Sequence, residues 1–145
     1  MTWEDIVISS TISVVTGLIS GLASGYIVSR YFKYKDLSER RFKEFITQKH
    51  KFLEYLQNLE CEIDITVSTK QFEQIKRRLS EVPYVYMHEG DINRVHIENY
   101  NIIKSKLREL DNDIRNKNID LLNYKYDINK LKANFSTATF KKYEP

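Results

Sequence analysis

A single cysteine, Cys61, excludes any disulfide within the chain and suits a reducing compartment. It sits among Glu60, Glu62 and Asp64, the opposite of the electropositive setting that a nucleophilic cysteine needs. Of the four glycines, only Gly90 lies beyond residue 25, so residues 30–145 have no glycine-rich loop that could cradle a phosphate. No serine stands in a nucleophile-elbow motif. Neither glycine nor proline occurs between Gly25 and Pro83, so nothing in that stretch interrupts a helix. The most telling absence is charge: between Asp5 and Arg30, residues 6–29 carry none.

What fills that gap is apolar. As a helix at about 1.5 Å per residue the run is roughly 36 Å long, against a bilayer core roughly 30 Å thick. Ile6, Val7, Ile8, Ile12, Val14, Val15, Leu18, Ile19, Leu22, Ile27 and Val28 each favour insertion by about 0.3–0.6 kcal/mol. Their sum is on the order of 3–7 kcal/mol, offset in part by hydroxyls such as Ser9, Ser10, Thr11, Ser13 and Thr16. These hydroxyls soften their own cost by bonding to carbonyls one turn earlier. The expectation is a transmembrane helix over residues 6–29, preceded by a short external tail, residues 1–5. A signal peptide competes, but Glu4 and Asp5 replace its basic start and the run is long for its apolar region. A buried helix of a soluble domain competes too, but the remaining sequence is too polar to build the shell it needs.

The flanks orient the span. All 23 Lys and Arg lie at or after Arg30, with Arg30, Lys33, Lys35, Arg40 and Arg41 crowding its C-terminal side. Such residues mark the cytoplasmic side. The N-terminus is expected outside and residues 30–145 in the cytoplasm, in a single-pass protein of the inner or plasma membrane. Trp3 on one side and Tyr26, Tyr31, Phe32 and Tyr34 on the other suit the two aromatic belts. The basic flank would also lie against anionic headgroups; a plain stop-transfer signal is the favoured reading of it.

Small residues recur every four positions along the run: Ser9, Ser13, Gly17, Gly21, Gly25 and Ser29. A GxxxGxxxG array of this kind, a glycine zipper, lets helix backbones approach closely in lipid, where packing and not hydrophobicity drives association. Self-association through Ser13, Gly17, Gly21 and Gly25 is the reading; a monomeric span that merely tolerates small residues is its plain alternative. Thr16, Ser20 and Ser24 form a second small stripe, which would allow each helix two neighbours or let several helices line a narrow aqueous path.

Residues 30–145 hold all 23 basic residues and 18 acidic ones, a formal +5 spread along the chain. That balance does not point to nucleic acid. Helical spacing dominates, and the expected class is all-α, with the span followed by a cytoplasmic antiparallel hairpin or bundle over residues 30–135. A first cytoplasmic helix over about 37–66 carries Phe42, Phe45, Phe52, Leu56, Leu59 and Ile63, with Lys49 in one seam position. It either continues the span as one rod or breaks near Asp36-Leu37-Ser38. A second helix, about 69–81, is capped by Ser68 or Thr69 and ended by Pro83. An extended loop with two tyrosines, Tyr84 and Tyr86, follows. A third, about 91–135, is capped by Asp91 and carries a heptad seam of Ile103, Leu107, Leu110, Ile114, Leu121, Tyr124, Ile128, Leu131 and Phe135, with Lys117 in one slot. Asn116 and Asn118 mark a place for a kink or break. Residues 136–145 lack a pattern and read as a frayed tail. An intramolecular bundle and an intermolecular coiled coil both satisfy these seams; short connections favour the bundle.

Chemistry is sparse. His50, His88 and His96 read as surface histidines, because the gap between His88 and His96 matches no metal-ligand spacing. Glu60 and Asp64, one turn apart, read as a solvated face. Lys70 and Lys76-Arg77-Arg78 form a basic patch suited to a membrane surface or to solvent. No catalytic, cofactor or metal site is expected, and not an enzyme. The abundance of Asn, Ile, Lys and Tyr resembles proteins of AT-rich bacterial or phage genomes. The functional expectation is a membrane scaffold, anchor or regulator with an unidentified protein partner in the membrane or cytoplasm. The alternatives are a membrane-perturbing effector, holin-like or a defence toxin, whose spans assemble into a leak, and, less favoured, a membrane-anchored enzyme. On lysis without detergent, the intact protein should sediment with membranes and resist carbonate extraction; recovery from the aqueous fraction refutes the span.

Overall fold

The computed structural model describes residues 2–116 and 119–141. The chain is all-α, with four helices: α1 (Trp3–Thr69), α2 (Glu73–Ser80), α3 (Arg94–Asn116) and α4 (Leu121–Ser136). By their internal contacts the residues fall into two compact units, Met1–Arg40 and Arg41–Pro145.

In the first unit none of the described residues is buried. Leu22, Ile27 and Trp3 are 74 %, 66 % and 83 % exposed. The break considered at Asp36-Leu37-Ser38 is absent: these residues are helical. Asp and Ser each cost a helix only a few tenths of a kcal/mol, too little to stop one that lacks any glycine or proline there.

The end of α1 departs from expectation. Ser68 and Thr69 do not cap a second helix; they belong to α1, and their hydroxyls donate to the carbonyls of Asp64 (2.7 Å) and Ile65 (2.8 Å). The stop is Lys70, whose φ of 59° places it in the left-handed region. Its N–H donates to the Thr66 carbonyl at 2.8 Å, the single bond of a left-handed C-terminal cap, made here without glycine. α2 starts at Glu73, with Phe72 as its N-cap and no side-chain cap bond.

The second unit is built round phenylalanines. Phe45, Phe52, Leu56, Leu59 and Ile63 of α1 are fully buried, as are Ile75 of α2, Ile103 and Leu110 of α3, and Ile128 and Phe135 of α4. The Phe52 ring meets Tyr100 (5.2 Å between centroids) and Phe135 (5.5 Å), both edge-on. Glu60 pairs with Lys132 and Asp64 with Lys125, so α4 runs antiparallel to this part of α1. Lys106 of α3 reaches Asp127 of α4 at 3.5 Å, and the Tyr124 hydroxyl donates to Asp113, so α3 and α4 are antiparallel as well.

Three boundaries differ from the sequence reading. The long third helix is two, because α3 ends at Asn116 and α4 restarts at Leu121, where the Asp120 carboxylate accepts the Asn123 N–H at 3.2 Å. Lys117 and Asn118 lie outside the described residues. Asp91 does not cap α3, which begins at Arg94; its side chain is buried beside Arg41 (3.8 Å). The segment expected to fray is tucked in. Ala138 and Phe140 are buried, Phe140 forms an antiparallel bridge with Ile92, and the Lys141 N–H donates to the Asp91 carbonyl at 2.7 Å. Residues 142–145 lie outside the described residues.

Glycine accepts a positive φ without the cost a side chain bears there, on the order of 1 kcal/mol. Lys70→Gly should therefore stabilise the protein by about 0.5 kcal/mol, and Lys70→Val should destabilise it by more than that. Thermal unfolding in detergent, followed by circular dichroism, checks both signs.

Candidate functional site

The uncovered run is the first feature that could act. Residues four apart follow a ridge inclined to the helix axis, so the small-residue stripe winds slowly round α1. A partner helix laid along it crosses right-handed, at about −40°. A Cβ added to Gly17, Gly21 or Gly25 would meet nothing within 4 Å, so no contact within this chain requires glycine at these positions. The hydroxyls are satisfied locally. Thr11 donates to the Val7 carbonyl (2.8 Å), Ser13 to Ser9 (2.8 Å), Thr16 to Ile12 (2.7 Å) and Ser24 to Gly21 (3.1 Å). Their hydrogens are used within the helix, leaving the oxygen lone pairs for a neighbour.

The basic flank divides. Arg30 lies between two tyrosines of its own helix face, donating to the hydroxyls of Tyr26 (3.2 Å) and Tyr34 (3.4 Å). Its guanidinium also sits 6.0 and 5.7 Å from the two ring centroids. Lys33, Lys35 and Arg40 are exposed in the same unit. Arg41 belongs to the other unit, where its partner is the buried Asp91. It serves the helical core there.

In the second unit, the acidic run round Cys61 is only in part a solvated face: Asp64 is exposed, Glu60 is not. Glu60 is buried and 2.7 Å from Lys132 of α4. Glu62 receives Arg78 of α2 through Nε (2.9 Å) and Nη2 (2.6 Å). Asp64 holds Lys125 of α4 at 2.6 and 2.7 Å. Alternate acids on one stretch of helix thus tie α1 to two other helices. Arg78, read as part of a basic patch, is committed to Glu62, and its carbonyl accepts the Tyr55 hydroxyl at 3.1 Å. Burial pushes the Tyr55 phenol well above its usual range. Lys49, in a seam position, inserts its ammonium at the C-terminal end of α4, donating to the carbonyls of Ser136 (2.6 Å) and Ala138 (2.7 Å). There it meets the negative end of the helix dipole. Burial lowers its pKa below the ordinary lysine value.

His50 is exposed, and His88 turns its Nδ1 to accept the Gly90 N–H at 3.0 Å while its ring stacks on Tyr86. Among the described residues no three His, Cys, Asp or Glu side chains gather as a metal site. Cys61 is exposed. One cleft escaped the sequence reading: it lies between residues 82–84 and α3, and Lys104 and Arg108 line it. No protein family, curated protein or solved structure was found to match the chain.

Removing one partner of a buried ion pair costs more than removing both. Lys132→Met should destabilise the protein by about 3 kcal/mol, and Glu60→Leu added to it should restore most of the loss. A double-mutant cycle of thermal unfolding measures the difference.

Proposed function

We propose that this is a single-pass membrane protein that self-associates through Ser13, Gly17, Gly21 and Gly25. Its helical unit, Arg41–Pro145, is presented to a protein partner as a scaffold, anchor or regulator of a membrane complex. The observation that carries the reading is the state of the apolar run: it is long enough to cross a bilayer, and its described residues are exposed. Soluble monomers rarely expose contiguous apolar patches beyond a few hundred Å². In lipid that exposure is no penalty, and a helix satisfies its own backbone there.

The charge asymmetry supports the orientation, with the N-terminus outside and the helical unit in the cytoplasm. Arg30, bracketed by Tyr26 and Tyr34, suits the inner interface, where amphipathic rings and long basic side chains are enriched. Glycine in an exposed helix interior costs about 1 kcal/mol relative to alanine in water. Three at one spacing, with open space round each, suit a close helix–helix contact.

The rival, a membrane-perturbing effector, uses the same span but needs a hydrated path. The inward bonding of the Thr11, Ser13, Thr16 and Ser24 hydroxyls favours packing over such a path. Replacing Gly17, Gly21 and Gly25 by isoleucine should reduce oligomer size in membranes, as read by crosslinking in intact cells. Unchanged size refutes the stripe. In the same cells, expression of the unaltered protein should leave the membrane potential in place, and depolarisation would favour the rival.

A further inference from the structure

We propose that the cleft between residues 82–84 and α3 binds a small organic anion with a flat ring, its charge held by Lys104 and Arg108. The cleft has a volume of about 500 Å³, within the range of small-molecule sites, about 300–1,000 Å³. Three ring-bearing residues line it, Pro83, Tyr84 and Tyr100, together with Leu79, Val82 and Leu107. Tyr84 stands 65 % exposed on its loop, an aromatic surface with little of its own chain against it. Flat ring faces of this kind stack best on flat partners.

The walls are fixed. The Val85 N–H donates to the Tyr100 hydroxyl at 3.1 Å, which ties the loop to α3. The Tyr86 N–H donates to Gln48 of α1 at 2.6 Å, which ties it to the bundle. The Tyr100 oxygen, used here as an acceptor, keeps a hydrogen to donate.

The charge in the cleft is unbalanced. Lys104 and Arg108 are one turn apart, an arrangement that like-charge repulsion disfavours in a helix. Lys104 lies over the Tyr100 ring at 5.5 Å, and neither cation is within ion-pair distance of a described carboxylate. The acid in the lining, Asp111, is engaged by Arg115 at 3.0 Å. A second cleft of about 420 Å³, at Glu62 and α2, shows the contrast. There Arg78 pairs with Glu62 (2.6 Å) and Arg77 with Glu81 (3.6 Å), so no charge is left for a ligand. Two cations beside apolar rings, with the local acid already spent, match an anion on a ring. The inference does not depend on how the span is used.

The test uses the full chain in a non-ionic detergent and 4-fluorophenyl phosphate as probe, observed by fluorine NMR. The resonance should broaden saturably beyond its width in detergent alone. Lys104→Gln with Arg108→Gln should weaken binding at least tenfold with helicity unchanged by circular dichroism. Tyr84→Ala, on the exposed loop, should weaken it several-fold. Inorganic phosphate should compete at least tenfold more weakly than unlabelled phenyl phosphate, and neutral 4-fluorobenzyl alcohol should not broaden. Absence of broadening, equal broadening with the double variant, or equal competition by inorganic phosphate overturns the proposal.

Discussion

The constraint on which the rest depends is that residues 6–29 have no charge to hydrate and are exposed throughout. Hydrophobic burial is roughly proportional to area removed from water, and no described residue of this run is buried. The second unit has the opposite character, with every seam phenylalanine of α1 from Phe45 onward buried. One helix, α1, therefore serves two kinds of surroundings, and its side chains change accordingly. Uncharged residues with small polar ones at four-residue spacing give way to phenylalanine and leucine at heptad spacing, with charges between them.

Those charges are the second organising element. Buried ion pairs are weak sources of net stability, because desolvation offsets most of the attraction. Their value lies in excluding alternatives: Glu60 and Glu62 each find a cation on another helix, and a shifted register would strand them. Lys49 works in the same way. Its ammonium satisfies carbonyls at the end of α4, so a polar residue in an apolar seam marks where that helix must stop.

Periodicity made much of this legible. Phe45, Phe52, Leu56, Leu59, Ile63, Ile103, Leu107, Leu110, Ile114, Leu121, Ile128 and Phe135 follow three/four spacing, and all are buried. The break between α3 and α4 left a trace in its asparagines. What periodicity cannot show is a single contact. Phe140 is buried with its ring against Phe42 and Phe45 and its backbone paired with Ile92, and such single contacts have no repeat to detect. The end of α1 was hidden because lysine, not glycine, takes the left-handed position. Glu60 looked solvated because its partner, Lys132, is distant in sequence. The cleft at Lys104 and Arg108 was illegible for a related reason: its two walls come from segments that only tertiary folding brings together.

The same burial bears on the choice between a bundle and an intermolecular coiled coil. Knobs already seated inside one chain cannot seat in another without unfolding it. The apolar residues of the α1 seam from Phe45 to Ile63 are fully covered within its unit, and Lys49, its polar member, has its partners there too. A second copy would have to offer more than the existing fit, against the cost of leaving Glu60 without Lys132. The coiled-coil spacing is thus spent on folding. Any contact between copies must use a surface the fold leaves open, and the longest continuous apolar one runs along residues 6–29. There the glycines, and not the heptads, set how closely two backbones can come.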